Sequence, residues 1–573
     1  MKRIRNTILH YRQQQPSLQR LADACGPNAS RSPPEDQLIA ELRGRVARKI
    51  GLSPDRADLH HPASPWRFEL ARKVLTAARD PDLAIADWLQ HGTPVGIAEP
   101  IPPSGLLPLV TEERSTTAAS LQQRVQWTHN HPSFDLLEGS DAPAHTLLDD
   151  LVNAGHALVF DSIDEAASWL GTRPVPSPLG DVVRLKQDGS VKHRLIQDLK
   201  ASNVNSASVV PERQVLPRFV DHARDIALLS LGASSEIGVF IIDFKNAFMT
   251  LPLADAERPF NTSVAPHTVS RTRPPLYDGE PSKGKFLVWR VLGFGGHSNP
   301  LTYSRVACFA ARSGQALLME PPSSSNHVAQ GRLQLYVDDP AITLKGTVEQ
   351  QHAAVDLLTL WWLVLGVPLS WDKGSFNPGH LSHDWIGVQF ASHTPGTSTL
   401  SVPSSFLKDL LAIATKFTTS SPKTASLKDA HALCGKAGRL AQVVPAVTPW
   451  VQQLFAALAG SLWSHHVGMR EAPPRRVAKR RYLSAATWLV QLLKEQQFPL
   501  RHTIHLRPVA IDRHLRHVQF DASPWGGGFV LVERGVPVEW AAFQWTSASA
   551  EHLGVVPDNP KWQSFWELAT PTS

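Results

Sequence analysis

Two adjacent carboxylates, Asp338 and Asp339, interrupt the strand-forming residues of LQLYVDDPAITLKG, residues 333–346. Leu-Gln-Leu-Tyr-Val alternates like a strand, and Pro340, with no N–H for a ladder, suits only the start of a returning strand. The pair is therefore expected at the tip of a β-hairpin, where Asp is also an ordinary turn residue. A third acid raises the stakes. IGVFIIDFKNAFMTLPL, residues 237–253, reads as an apolar strand leading to Asp243. Two strand ends can bring Asp243 beside Asp338, and carboxylates crowded there repel one another unless cations neutralise them. All-oxygen donors suit a pair of Mg²⁺ ions, with Mn²⁺ as a substitute, and such a pair supports in-line nucleotidyl transfer without covalent catalysis.

The elements that must position these acids are spread over a long chain. At 573 residues it exceeds one core, and roughly 150 residues per domain suggests three or four units. Hydrophobic content of 42% against 19% charged residues describes a folded protein. The net charge of +6 is compatible with a polyanionic partner. Cys25, Cys308 and Cys434 lie far apart with no CxxC pair, which argues against a disulfide framework or zinc ribbon and fits a reducing compartment. The basic start MKRIRNTILHYRQQQ lacks the apolar core of a secretory signal, so an intracellular protein of cytoplasm or nucleus is expected. AAVDLLTLWWLVLGVPL, residues 353–369, falls short of a membrane span and reads as a buried helix. Residues 1–95 read as mostly helical, and TPVGIAEPIPPSGLLP, 93–108, as an extended, structureless connection. Helices and short strands mix from about 145 to 400, helices dominate from 401 to 500, and strands return from about 508.

Six segments in one order over residues 181–390 resemble the motifs of reverse transcriptases from eukaryotic retrotransposons of the gypsy and DIRS type. FIIDFKNAF and LYVDD look like the two catalytic motifs of that family, which gives Asp243, Asp338 and Asp339 the role of metal ligands. VKHRLIQDLKASNVN resembles the fingers segment whose arginine holds the incoming triphosphate, here Arg194. In VVRLKQDGSVKHR, read as a hairpin turning at Asp188-Gly189, Lys186 takes the place of a second phosphate contact. Phe248 takes the place of the ring that clashes with a 2′-OH and favours deoxynucleotides. VLGFGGHSNPLTYSRV resembles the glycine-bearing nucleotide segment, with Gly295 letting backbone and nucleotide approach; it departs at Gly293, where the family has proline, and at His297 and Asn299. GVPLSWDKGSF offers Lys373 as proton donor to pyrophosphate, and HDWIGVQF resembles the primer grip around Trp385 and Gly387.

The resemblance implies an α+β right-hand fold: a helical region 1–145 without assigned role, fingers and palm at 146–400, a helical thumb and connection at 401–507, and a truncated RNase H-like segment at 508–573. In that last segment Asp521 and Glu567 match the first two carboxylates of the nuclease; its later aspartates are not within the chain, so no competent RNase H is expected. In APPRRVAKRRYL a helix would stack Arg475 on Lys479 and Arg476 on Arg480, a basic stripe that would track phosphates, act as a nuclear-import patch, or simply be solvated. The implied activity is RNA-directed DNA synthesis on an RNA or DNA template-primer with dNTPs. The alternative is an inactive remnant or domesticated scaffold that binds nucleic acid. No membrane partner is expected, and the sequence is silent on oligomeric state.

Overall fold

The computed structural model describes residues 1–111, 114–123, 130–135, 143–185, 189–231, 236–265, 285–319, 328–379, 382–392, 394–466, 468, 471–495, 499–506, 516–533, 536–553, 556 and 559. It divides into two compact units, Met1–His505 and Leu506–Ser573.

At the centre of the first unit is a four-stranded antiparallel sheet. The Gln330–Tyr336 strand pairs with Asp339–Lys345, which pairs with Ile237–Phe244, and the Leu369–Asn377 strand closes the other edge. The Asp339–Lys345 strand is buried over Pro340–Leu344, as a strand covered on both faces must be. One cover is the Val348–Leu365 helix, the apolar window of the sequence. Thr347 and Gln350 close its start with a reciprocal capping box, and Gly366, at φ +86°, ends it. Past its first turn it is buried on every side except at Leu363, and it carries Gln351, His352, Asp356 and Thr359 into the core with its apolar residues. Trp361 Nε1 donates to Ser313 Oγ (2.9 Å) and Trp362 Nε1 to the Ala310 carbonyl (3.2 Å), fastening it to the Asn299–Leu318 helix. Among the described residues no helix is long and apolar enough to cross a membrane.

The N-terminal helices share this core. Ile8, Leu42, Trp66 and Leu75 belong to the same buried apolar cluster as Phe240, Ile342 and Trp361. Buried charges seal the join: Arg12 and the N–H groups of Arg20 and Leu21 all reach the fully buried Asp356 carboxylate. Arg305 pairs twice with Asp82, both side chains buried, and lies over the Trp88 ring at 4.2 Å. The Pro-rich stretch after residue 93 has little regular structure, yet it is not the loose connection its composition suggests. Val95, Ile97 and Ile101 are buried, and the Glu257 carboxylate accepts the N–H groups of Val95, Ile97, Ala98 and Glu99. A partner 160 residues away supplied what composition could not reveal.

A second apolar cluster joins the Phe219–Ser230 helix, the strands His383–Trp385, Val388–Ala391 and Thr397–Ser401, and the helices Ser404–Thr418, Leu427–Val443, Thr448–His466 and Leu483–Glu495. The basic stretch 475–480 is not helical. Arg475 has φ +59°, Arg476–Ala478 pair as a strand with Thr424–Ser426, and Lys479–Arg481 form one 3₁₀ turn. No shared helical face exists. Arg476 donates to Thr424, Lys479 is buried against Thr419, and Arg480 pairs with Glu471. The expected helical stripe does not form, because pairing with Thr424–Ser426 draws Arg476–Ala478 into a strand.

The second unit is a three-stranded antiparallel meander, Arg516–Ser523, Gly526–Glu533 and Val536–Gln544, followed by the Ser547–Leu553 helix.

Candidate active site

The hairpin tip expected from YVDD is there. Tyr336 pairs with Asp339, leaving Val337 and Asp338 as a two-residue turn. Val337 has φ +61°, a left-handed conformation that costs a β-branched residue of order 1–3 kcal/mol and persists only where its surroundings enforce it. Here the Phe244 N–H donates to the Asp338 carbonyl at 2.7 Å, tying the turn to the end of the Asp243 strand. Ala341 pairs with Ile241; carrying that antiparallel register on sets Asp339 level with Asp243. Sheet pairing alone thus brings three acids to one edge.

For Asp338 and Asp339 the surroundings make ionisation costly. Burial first, then the Asp243 charge, lifts the Asp338 carboxyl above its ordinary range. Burial, Asp243 and Asp338 together push Asp339 up to about 7. Tyr303, fully buried beside them, has its phenol raised well above the ordinary value by burial and the charges of Asp338 and Asp243. Asp243 Oδ2 accepts from the Lys373 ammonium, which reaches in from the neighbouring edge strand. Lys373 is thus the ion-pair partner of Asp243. Among the described residues no three His, Cys, Asp or Glu side chains converge on one point. The donor chemistry nevertheless suits hard divalent cations, which take carboxylate oxygens: burial and the Asp243 charge oppose ionisation of Asp338 and Asp339, a penalty that a bound cation would offset.

Phe248 stands in a 3₁₀ turn four residues beyond the Asp243 strand, wedged edge-on against Tyr303 and Phe294, each 5.4 Å away. Arg194 is exposed on the strand segment that exchanges two backbone hydrogen bonds with Val182, and its guanidinium lies 5.9 Å from the Phe294 ring centre. It lies near enough to Asp338 to oppose the rise of that carboxyl. Lys186 and Asp188 lie outside the described residues, although short strands on either side, Arg184–Leu185 and Val191–Lys192, pair as a hairpin.

The glycine segment explains its own departures. Asn299 Nδ2 donates to the Gly293 carbonyl at 2.7 Å, and a Cβ at Gly293 would lie 2.9 Å from Gln197 Oε1. The two unusual residues are thus partners. Gly295, at φ +126°, rests directly on the Gln197 carbonyl and has no room for a side chain. Asn205 clasps the segment from outside, donating to the Gly295 carbonyl and accepting from the His297 N–H, both at 2.9 Å.

Trp385 and Gly387 lie at and beside the turn of one hairpin. The Trp385 ring is buried, and its Nε1 donates to the Asp339 carbonyl at 3.1 Å, so it braces the acid-bearing strand. Gly387, at φ +75°, forms the tip of that hairpin, held by the Arg439 guanidinium on the Ile386 carbonyl. Arg439, Asn205, Gln197, Phe294 and Tyr303 were not singled out from the sequence. The signal for Asn205, Gln197, Phe294 and Tyr303 was their place inside segments already marked; Arg439 had none.

In the second unit Asp521 is exposed, its Oδ1 accepting only the Ala522 N–H among the bonds described. Glu567 lies outside the described residues.

No protein-family model matches the chain, and no curated protein does. Among solved structures it is similar to the foamy viral protease-reverse transcriptase dRH in complex with double-stranded DNA. That match has 17% identity and a TM-score of 0.39, over 83% of this chain and 64% of the other. It is similar also to the foamy viral protease-reverse transcriptase in complex with an RNA/DNA hybrid. There the identity is 17% and the TM-score 0.41, over 87% of this chain and 52% of the other. The chain thus spans between half and two thirds of the length of those proteins.

Proposed function

We propose that the chain is an RNA-directed DNA polymerase of a retrotransposon, with residues 146–400 as fingers and palm and 401–507 as thumb. The observation that carries the reading is that strand pairing brings Asp243, Asp338 and Asp339 to the same end of the central sheet, where burial and the Asp243 charge raise the Asp338 and Asp339 carboxyls. A structural scaffold has no physical need for such a cluster. Asp243, Asp338 and Asp339 would hold two Mg²⁺ ions, which when bound activate a primer hydroxyl and stabilise departing pyrophosphate. Around them, Arg194 orients the triphosphate by charge-assisted hydrogen bonds, and Lys186 is proposed to assist it. Phe248, fixed by Tyr303 and Phe294, excludes a 2′-OH. Lys373, held at Asp243, is poised to hand a proton to the leaving group. The partners are an RNA or DNA template-primer and dNTPs.

Primer extension on an RNA template with Mg²⁺ tests the reading. The wild type is expected to extend with dNTPs, and Asp338→Asn to lose roughly a hundredfold to a thousandfold in rate while staying folded. Phe248→Val is expected to relax discrimination against rNTPs by on the order of tenfold or more. Tight binding of the template-primer with no extension by the folded wild type would hand the chain to the scaffold reading. Unchanged discrimination in Phe248→Val would move the sugar gate elsewhere.

A further inference from the structure

Lys373 occupies an irregular part of its strand. Ser370 pairs with Asp243 and Ser375 with Ile241, so four residues, Trp371 to Gly374, stand opposite Ile242 alone. Such an excursion leaves backbone groups without ladder partners and re-aims the side chains it carries. Lys373 is one of them, and it reaches the Asp243 carboxylate.

What holds the excursion comes from the start of the chain. The Gly26 N–H donates to the Trp371 carbonyl at 2.8 Å. Gly26 has φ +82°, and a Cβ there would lie 3.3 Å from the Gly374 carbonyl. From the other side, a Cβ on Gly374 would meet Cys25 Sγ at 2.6 Å and Cys25 Cβ at 2.9 Å. Gly26 meets the Gly374 backbone directly, and the Cys25 side chain packs against the bare Cα side of Gly374. The N-terminal segment is itself pinned: the buried Asp356 carboxylate accepts the Arg20 N–H at 2.9 Å and the Leu21 N–H at 2.7 Å, with Arg12 Nε at 2.6 Å. Leu21 and Ala22 are buried in the cluster against which Trp371 packs.

We propose that residues 20–26 are a clamp that positions Lys373, fixing the Trp371–Gly374 excursion so that the ammonium meets Asp243. The helical N-terminal region thereby acquires a role in the reaction, through a lysine it does not contain. The inference rests on the polymerase reading for the importance of Lys373, but the clamp has a signature of its own.

Gly374 is not at positive φ, so Gly374→Ala is conformationally allowed and acts by pressing on Cys25. In the template-free protein, Gly374→Ala is expected to speed hydrogen exchange across residues 369–377 while the unfolding midpoint of the unit changes little. In primer extension it is expected to lower kcat on the order of tenfold to a hundredfold with little change in dNTP KM. Gly374→Ala combined with Cys25→Gly, which removes both opposing atoms, is expected to restore exchange and kcat together. Rescue from a residue nearly 350 positions away is what general destabilisation would not give. Wild-type exchange in Gly374→Ala, a defect that survives in the double variant, or looser exchange with unchanged kcat would each overturn the proposal. Lys373→Ala is run in parallel. If it were as active as the wild type, the catalytic role of the lysine would fall, and the clamp would stand or fall on the exchange result.

Discussion

The two units of the chain treat charge and apolar surface in opposite ways. In residues 1–505, Asp82, Asp356 and Glu257 are buried carboxylates, each answered by a guanidinium or by backbone N–H groups from far along the chain. In the meander of residues 516–544, Val518, Phe520, Val538 and Trp540 face outward, Trp540 at 75% exposure. Its buried apolar cluster among the described residues is only Ala522 and Ala550, with Trp545 against it. Both regions pair their strands in antiparallel ladders. The difference shows that pairing satisfies the backbone but does not make a core, for which a sheet must find a second layer. It also shows why the carboxylates differ in chemical promise: Asp521 is exposed and solvated, whereas Asp338 and Asp339 are desolvated and crowded.

That contrast can be broken at its strongest point. Arg305→Ala leaves Asp82 buried without its guanidinium and is expected to cost the first unit about 3–5 kcal/mol in denaturant unfolding. A loss below about 1 kcal/mol would mean that water reaches Asp82 and that the burial argument is wrong.

A smaller effect comes from Asp339. Its folded carboxyl titrates at about 7, above the ordinary carboxylate range, so the unfolded chain releases this proton at lower pH than the folded one. Stability is therefore lost as pH rises from about 4 through 7. In metal-free buffer, Asp339→Asn is expected to raise stability by about 2 kcal/mol at pH 8 and to change it little at pH 4. A gain of equal size at both pH values would point to packing rather than charge.

The smallest effect belongs to the second unit. Arg516 and Glu533 are cross-strand neighbours 3.4 Å apart, with the arginine side chain 67% exposed. Arg516→Ala is expected to shift unfolding of that unit by under about 1 kcal/mol and, in high salt, by nothing measurable. A cost approaching that of Arg305→Ala would erase the distinction between the units.

Much of the candidate site was legible without coordinates because its signals are local. The YVDD hairpin needs only strand alternation, a two-residue turn and a proline placed where no N–H is required. The capping box at Thr347 and the glycine after Leu365 frame a helix in the same way. A local rule failed where a distant partner outbid it. Spacing put Arg475, Arg476, Lys479 and Arg480 on a helix, but Thr424, Thr419 and Glu471 hold three of them in a strand and a turn. The segment of Trp385 gave no sign that its ring would be buried among aromatic side chains with its Nε1 on the Asp339 carbonyl.

What the sequence by itself determined was therefore the identity of the acids, the strands that carry them and the order of the segments around them, since each depends on residues within a few positions. Only the tertiary structure decided that Asp243 meets Lys373, that Gln197 and Asn205 hold the glycine segment, and that residues 20–26 reach the strand of Lys373. Those contacts join residues roughly 90 to 350 positions apart, and no periodicity or propensity encodes a partner at that distance. They form because apolar surface from Ile4 to Leu369 is buried in one core, and polar groups caught there are stabilised by meeting a partner.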